Sequence, residues 1–233
     1  MTNESLQSLL SILNNNEKAS GLIYLRPLSA NVDFAKIWIE EPKQTDSVTS
    51  SDGPDNFYLI KDDSNVFVSI VYDMWKDLHW FVLPEYRGMG HLTKALRQTI
   101  IPHLFLNRDE QRITINEIEI GKDNFKASEK VALSLCFTKG FDNDGQYFLS
   151  NKQYISEDFN FGKDSELSYE RMIELKKHIN YLSRSLWAIQ TEIEMKLGKT
   201  DYSDELKDLV SDIRNHTWKL EDFWWQNNQS NKP

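Results

Sequence analysis

The segment from Val82 to Thr93 carries the residues best suited to chemistry. It reads Val82-Leu83-Pro84, then Arg87-Gly88-Met89-Gly90-His91, then Leu92 and Thr93. Gly88 and Gly90 have no side chains, so a bulky anion can approach the main chain there. The run Leu78-His79-Trp80-Phe81-Val82-Leu83 stops at Pro84, as a strand does at a proline. Leu92, Ala95, Leu96 and Ile100 then recur at helical spacing. The predicted order is strand, glycine loop, helix. Unpaired backbone N–H groups and the positive end of the helix dipole converge at such a junction, which suits a phosphate.

Two common phosphate loops do not fit. A nucleotide P-loop ends in Gly-Lys-Ser/Thr, which is missing here. A dinucleotide fingerprint needs a third glycine and a distant acidic partner, and only Gly88-x-Gly90 is present. The segment instead resembles the coenzyme A loop of the GCN5-related N-acetyltransferase (GNAT) family. That loop is written Gln/Arg-x-x-Gly-x-Gly/Ala and follows a strand ending Val-x-Pro. Leu92 departs from it, standing where the family has Gly or Ala. A second segment is similar to the family pattern Asn-x-x-Ala-x-x-x-Tyr-x-x-x-Gly-Phe. Ala132, Gly140 and Phe141 fall in register, while Glu129 takes the asparagine slot and Cys136 the tyrosine slot. The resemblance covers roughly residues 20 to 150.

The resemblance implies an N-acyltransferase that moves acetyl from acetyl-CoA, its co-substrate, to a small amine or peptide acceptor. Backbone N–H groups around Phe81, Val82 and Leu83 would hold the charge developing on the thioester oxygen. Arg87, Gly88, Met89, Gly90, His91, Leu92 and Thr93 would hold the diphosphate. The family tyrosine returns a proton to the departing thiolate; Cys136 would do so as a thiol, or is simply a small apolar group on a helix. His79 is the candidate base, because imidazole titrates near neutrality. By simple alternation His79 lies on the face opposite Val82, and a bulge would reverse that parity. An ordinary strand histidine is the plain alternative. A non-catalytic GNAT-fold module acting through protein–protein contacts of a C-terminal helical hairpin is the rival to the enzyme as a whole.

The elements that must position these residues follow from patterning. Leu6, Leu9, Leu10 and Leu13 form one stripe of an opening helix, ended by Asn14-Asn15-Asn16. Leu22 to Leu28 reads as a strand broken near Pro27, and Val32 to Glu41 as helix or strand. Pro42 to Asp55 reads as a mobile loop, a surface insertion or a border of the acceptor site. Phe57–Lys61 and Val66–Tyr72 form a hairpin around Asp62-Asp63-Ser64-Asn65. Pro102 is expected to end or kink the helix after the glycine loop. Ile113–Ile120 reads as a strand, Ala127–Lys139 as a helix with Gly140 as its left-handed cap, and Gln146–Leu149 as a last strand.

Beyond Glu157 the character changes. Met172, Leu175, Ile179, Leu182, Leu186, Ile189 and Ile193 keep a spacing of three and four. After a break at Gly198–Asp201, Leu206, Val210, Ile213, Leu220 and Trp224 continue a second stripe. This predicts an antiparallel helical hairpin, serving as a homodimer interface or partner dock, or as a brace on the same chain. The expected class is α/β of the α+β type. A mixed, mostly antiparallel GNAT-like sheet flanked by helices fills residues 1–155, and the hairpin fills 156–233.

Composition bounds the rest. A formal charge of −9 and a pI near 5.1 argue against general nucleic-acid or anionic-membrane binding. One cysteine excludes an internal disulfide framework and fits a reducing, cytoplasmic setting. No basic leader is read at the N-terminus, and no run approaches the roughly 18 apolar residues of a membrane span. His103, His178 and His216 do not make a metal-ligand spacing with each other or with Cys136.

Overall fold

The computed structural model describes residues 1–15, 17, 21–140, 145–154 and 166–229. The chain divides into two compact units, Met1–Asp164 and Ser165–Pro233. The expected boundary at 155/156 and Phe141 of the Gly-Phe pair lie outside the described residues.

The first unit is a mixed α+β assembly. Its main sheet is antiparallel with five strands in sequential order: β1 Leu22–Ser29, β2 Val32–Trp38, β3 Asp55–Lys61, β4 Phe67–Asp73 and β5 Leu78–Val82. Val32 to Glu41 thus resolves as strand, since Asp33 and Lys36 alternate with apolar neighbours that face two cores. Pro27 is tolerated because β1 is an edge strand, and a bulge follows it. A smaller sheet has the order β6-β8-β7, with β6 Glu110–Thr114, β7 Thr138–Lys139 and β8 Gln146–Ser150.

Both faces of the main sheet are buried, which is why β3 reads as an unbroken apolar run. On one face, α1 (Asn3–Asn14) sets Leu6 and Leu10 against Phe57, Leu59, Ile70 and Phe81. Thr2 caps α1 by accepting from Ser5 N–H. At its other end the Asn14 amide mimics a strand, donating to Phe67 O and accepting from Phe67 N–H. On the other face, Tyr58, Ile60 and Val71 meet the helix after the glycine loop and α5 (Lys122–Ser134).

That first helix is continuous: α2 His91–Ala95, a π turn Leu96–Ile100, then α3 Ile101–Leu104. Pro102 does not end it. The π turn just before Pro102 shifts Ile101 N–H onto Leu96 O, and widening of this kind accommodates a proline ring and its missing donor. Three other expectations are corrected. Residues Ile113–Ile120 are not one strand: β6 stops at Thr114, and Asn116 accepts from Ile118 N–H to start the short helix α4, Glu117–Ile120. The next helix begins at Lys122 and ends at Ser134, earlier than the expected Lys139. Its left-handed cap is not Gly140 but Cys136, at φ 67°. Phe137 N–H bonds Ala132 O and Cys136 N–H bonds Leu133 O, and buried Phe137 packs inward, a Schellman closure. Burial of Phe137 fixes where the helix must reverse, and the cysteine falls at the strained position.

The second unit is a pair of long helices, α6 Tyr169–Leu197 and α7 Asp201–Gln229. Ser183 Oγ donates to Val210 O, and Lys176 pairs with Glu221, which sets an antiparallel register. The expected seam is half right. Met172, Ile179, Leu186 and Ile193 point toward the partner helix, but Lys176, Ser183 and Gln190 replace Leu175, Leu182 and Ile189 beside them. Ser203 and Thr217 are inward on α7, at stripe positions a search for apolar residues passes over.

Leu10 is fully buried at the centre of the α1 contact. Leu10→Ala is expected to cost about 3 kcal/mol through the cavity it leaves. A denaturant midpoint within error of wild type would show that α1 is not part of the core.

Candidate functional site

Strand β5 places the site. Its register on β4 is regular from Asp73↔Leu78 to Ser69↔Val82, with no bulge. Leu78, Trp80 and Val82 therefore face the core under α5, and Phe81 and Leu83 face the core under α1. Leu83 N–H bonds Val68 O, so Val82↔Ser69 is a wide pair and Phe81↔Ile70 a narrow one. The N–H groups of Phe81 and Leu83 are thereby committed to β4. Of the three backbone groups expected to serve the thioester, only that of Val82 points away from β4. Val82 O points the same way and accepts from Arg87 Nε at 3.1 Å. Beyond β5 lies β6, which belongs to the other sheet. Asp77 ties β6 to the start of β5, accepting from Thr114 N–H at 2.9 Å and from its hydroxyl at 2.6 Å. Past this tie, the outer edge of β5 has no strand partner among the described residues.

The loop after β5 begins with a single 3₁₀ turn, Pro84–Tyr86. Gly88 and Gly90 then take φ values of 78° and 84°, the left-handed region that favours glycine. Open space lies where a Cβ would stand on either. Lys94 N–H makes the first helical bond, to Gly90 O. Among the described residues, no acceptor meets the N–H groups of Gly88, Met89, Gly90, His91, Leu92 or Thr93. The nest opens to solvent, with Met89 62% exposed. Leu92 turns into the core, as a leucine there must, while its N–H stays in the first turn. Arg87 is anchored by its Val82 bond and stands over the Phe81 ring. The His91 ring meets Tyr86 edge-on.

The two candidate catalytic side chains are placed differently. His79 is half-buried against α1, its Nε2 sharing a 2.9 Å hydrogen bond with Asn3 Oδ1. Burial, reinforced by the N-terminal ammonium, holds its pKa below the ordinary 6.5; Asp77 opposes this. The ring is thus a neutral base at pH 7, on the sheet face opposite the Val82 side chain. Cys136 is exposed and lies beyond the end of α5 rather than on it. No described contact brings Cys136 to β5 or to the loop. Glu129, in the asparagine slot, accepts a 2.5 Å bond from the fully buried Tyr147 hydroxyl. Burial first, then Glu129, pushes the tyrosine up to about 12. Trp80 reaches from β5 to α5, its indole N–H donating to Ser128 Oγ at 3.3 Å.

One polar cluster was not legible in the sequence. A cavity of about 370 Å³ is lined by Asn56, Tyr58, Asp73, Trp75, His103 and Arg108, among others. Four separate stretches supply them, and no motif unites these stretches. Arg108 grips both oxygens of Asp73, the carbonyl of Trp75 and the side chain of Gln111. Trp75, at φ 66°, is stacked under that guanidinium. The cluster clamps the β4–β5 turn, and it leaves Asn56 Oδ1 and Arg108 Nε buried without a hydrogen-bond partner among the described residues. A second cavity, about 530 Å³, lies between Trp38–Glu40 and Asp52–Asp55. It is bordered by the long loop that was expected to flank an acceptor. Neither cavity is lined by the glycine loop.

A scan against protein-family models finds no match, and searches of curated proteins and of solved structures return no significant similarity. Among the described residues, no helix is long and apolar enough to cross a membrane, and no cluster of three or more metal-ligating side chains is present.

Two outcomes are expected. His79 and His103 both have folded pKa values depressed by burial. Their contribution is fully present above the ordinary 6.5 and is lost as pH falls through the lower folded value. Stability should therefore decline as pH falls from 6.5 toward the folded value and level off below it, and His79→Gln should shallow the slope of unfolding midpoint against pH in that window; an unchanged slope would mean the ring is solvated. Cys136→Gly should stabilise the fold by about 0.5–1 kcal/mol, because glycine relieves the left-handed strain at the cap. A loss of stability by thermal melt would contradict the cap geometry.

Proposed function

We propose that the first unit is an acyl-CoA-dependent N-acyltransferase, moving acetyl from acetyl-CoA to an amine on a small molecule or peptide. The observation that carries this reading is the nest at Gly88–Thr93. Two left-handed glycines aim unpaired N–H groups at the mouth of a helix, directly after a strand edge that has no strand partner among the described residues. A diphosphate bound there would meet the donors and the helix dipole together. The strand order supports the GNAT-like reading further. Five antiparallel strands are followed by a separate β6-β8-β7 sheet, which leaves a break between β5 and β6 where a pantetheine arm would pair as an added strand.

The chain's own residues then divide the work. Val82 N–H faces the break and is positioned to stabilise the oxyanion of the tetrahedral intermediate. Arg87 is held beside it by the Val82 carbonyl and lends positive charge to the nest. His79, neutral at pH 7, is the group able to accept the ammonium proton of the acceptor. It lies on the sheet face opposite the Val82 side chain, so this role requires the acceptor amine to approach from the α1 side of β5. The departing thiolate takes its proton from solvent or from the acceptor nitrogen, since Cys136 sits in an exposed turn past α5. The rival reading, a module that keeps the fold without catalysis and acts through its helical hairpin, draws on groups already committed: Arg87 occupies Val82 O and Asn3 holds His79.

Titration calorimetry with acetyl-CoA separates the two. The enzyme reading expects binding in the micromolar range, of order −7 to −8 kcal/mol. Gly90→Glu should abolish it by placing charge and bulk in the nest; open space surrounds Gly90, so the cost to the fold is left-handed backbone strain of about 1–2 kcal/mol, and a thermal melt checks that the variant stays folded. Normal binding by Gly90→Glu would remove the loop as the phosphate site. No heat and no thermal shift with the wild-type chain would leave the non-catalytic module.

A further inference from the structure

The helical pair has two unlike sides. On one, Asn180, Lys207, Arg214 and Glu221 stand among Ile173 and the exposed Trp187, and Lys176 reaches across to Glu221 and over the exposed Trp218 ring. The other carries residues that each precede an inward one: Leu175, Leu182 and Ile189 on α6, Tyr202, Leu209 and Phe223 on α7. The antiparallel register set by Ser183–Val210 and Lys176–Glu221 interleaves them into one continuous stripe. Five of them remain 46–63% exposed. His216 is the polar member of the stripe on α7 and Lys196, paired with Glu192, that on α6.

We infer that this stripe is the contact between two copies of the chain, packed face to face and running in opposite directions as a four-helix bundle. Area is the first argument. The six side chains leave roughly 500–600 Å² uncovered per copy, so two copies with their polar rims reach the lower end of stable interfaces, about 1,200 Å². Charge is the second, and it chooses both partner and direction. The positions bordering the stripe are Arg171, His178, Ser185 and Glu192 on α6, and Glu205, Asp212, Lys219 and Gln226 on α7. Arg171 and Lys219 lie toward the open end of the pair; Glu192 and Glu205 lie toward the connecting turn. A second copy turned end for end sets Leu182 on Leu182, Arg171 near Glu192 and Lys219 near Glu205 of its mate. A copy in the same direction would set Glu192 near Glu205 and forfeit both pairings. The antiparallel arrangement also brings the two Asp212 carboxylates together at the centre, a repulsion the dimer must carry.

Sedimentation velocity on the full chain tests this. At about 50 µM the wild-type species should have twice the 27.4 kDa chain mass. Leu182→Glu with Leu209→Glu should return it to monomer with helicity by circular dichroism unchanged. Arg171→Glu with Lys219→Glu should weaken dimerisation at least tenfold. Adding Glu192→Lys and Glu205→Lys to that variant should restore it. Asp212→Asn should tighten it. A monomeric wild-type chain would overturn the proposal, and reduced stability of that monomer on Leu182→Glu would assign the stripe to another part of the same chain. A dimer indifferent to the two leucine substitutions would also overturn it, and failure of the charge rescue would overturn the antiparallel orientation. Acetyl-CoA binding serves as the independent control, since the dimer and the coenzyme site stand or fall separately.

Discussion

Everything proposed for the first unit depends on the register of β5 against β4. A strand has period two, so one shift would exchange the two faces entirely. The observed register gives Leu78 and Val82 to one core and Phe81 and Leu83 to the other. It also commits alternate N–H groups to β4 and sends those of Val82 outward. The Asp77–Thr114 tie keeps β6 close at the start of β5, and the nest follows directly at its end. A few ladder hydrogen bonds thus decide which groups can meet a ligand and from which side.

Burial decides the fate of the chemistry-bearing side chains more than their identity does. His79 is drawn against α1, where lost solvation keeps its ring neutral. Cys136 is pushed out, because Phe137 must turn inward and the residue before it takes the left-handed cap. The same cap places Ala132 against the core, so the family-like spacing around Ala132 and Gly140 has a packing explanation of its own. Glu129 is held by Tyr147, which occupies its carboxylate from within.

The helical pair shows a related division. Its inward positions hold Ser183, Gln190, Ser203 and Thr217 among apolar residues, while comparably apolar residues stand outside. The small hydroxyls let the helices approach, as the Ser183 bond to the Val210 carbonyl indicates. A stripe of large residues beside such a seam is what a pair of helices displays when its apolar surface exceeds what the pair alone can cover.

Local patterning by itself determined most of the elements: the β3–β4 hairpin, the strand ending at Pro84, the helix after Gly90, the opening helix and the two long helices. These rest on short-range physics, namely proline and glycine backbone limits, side-chain periodicity and turn residues. Gly88 and Gly90 were legible for that reason, since only glycine adopts their conformations without strain. The tertiary structure alone decided which backbone N–H of β5 is free, where α5 ends, which member of each apolar pair in α6 faces inward, and that Arg108 would clamp the β4–β5 turn. Those outcomes depend on contacts between residues far apart in the chain. Apolar spacing of three and four fits two adjacent seams equally well, and an alternating Ile113–Ile120 reads as strand until Asn116 finds a helix to cap.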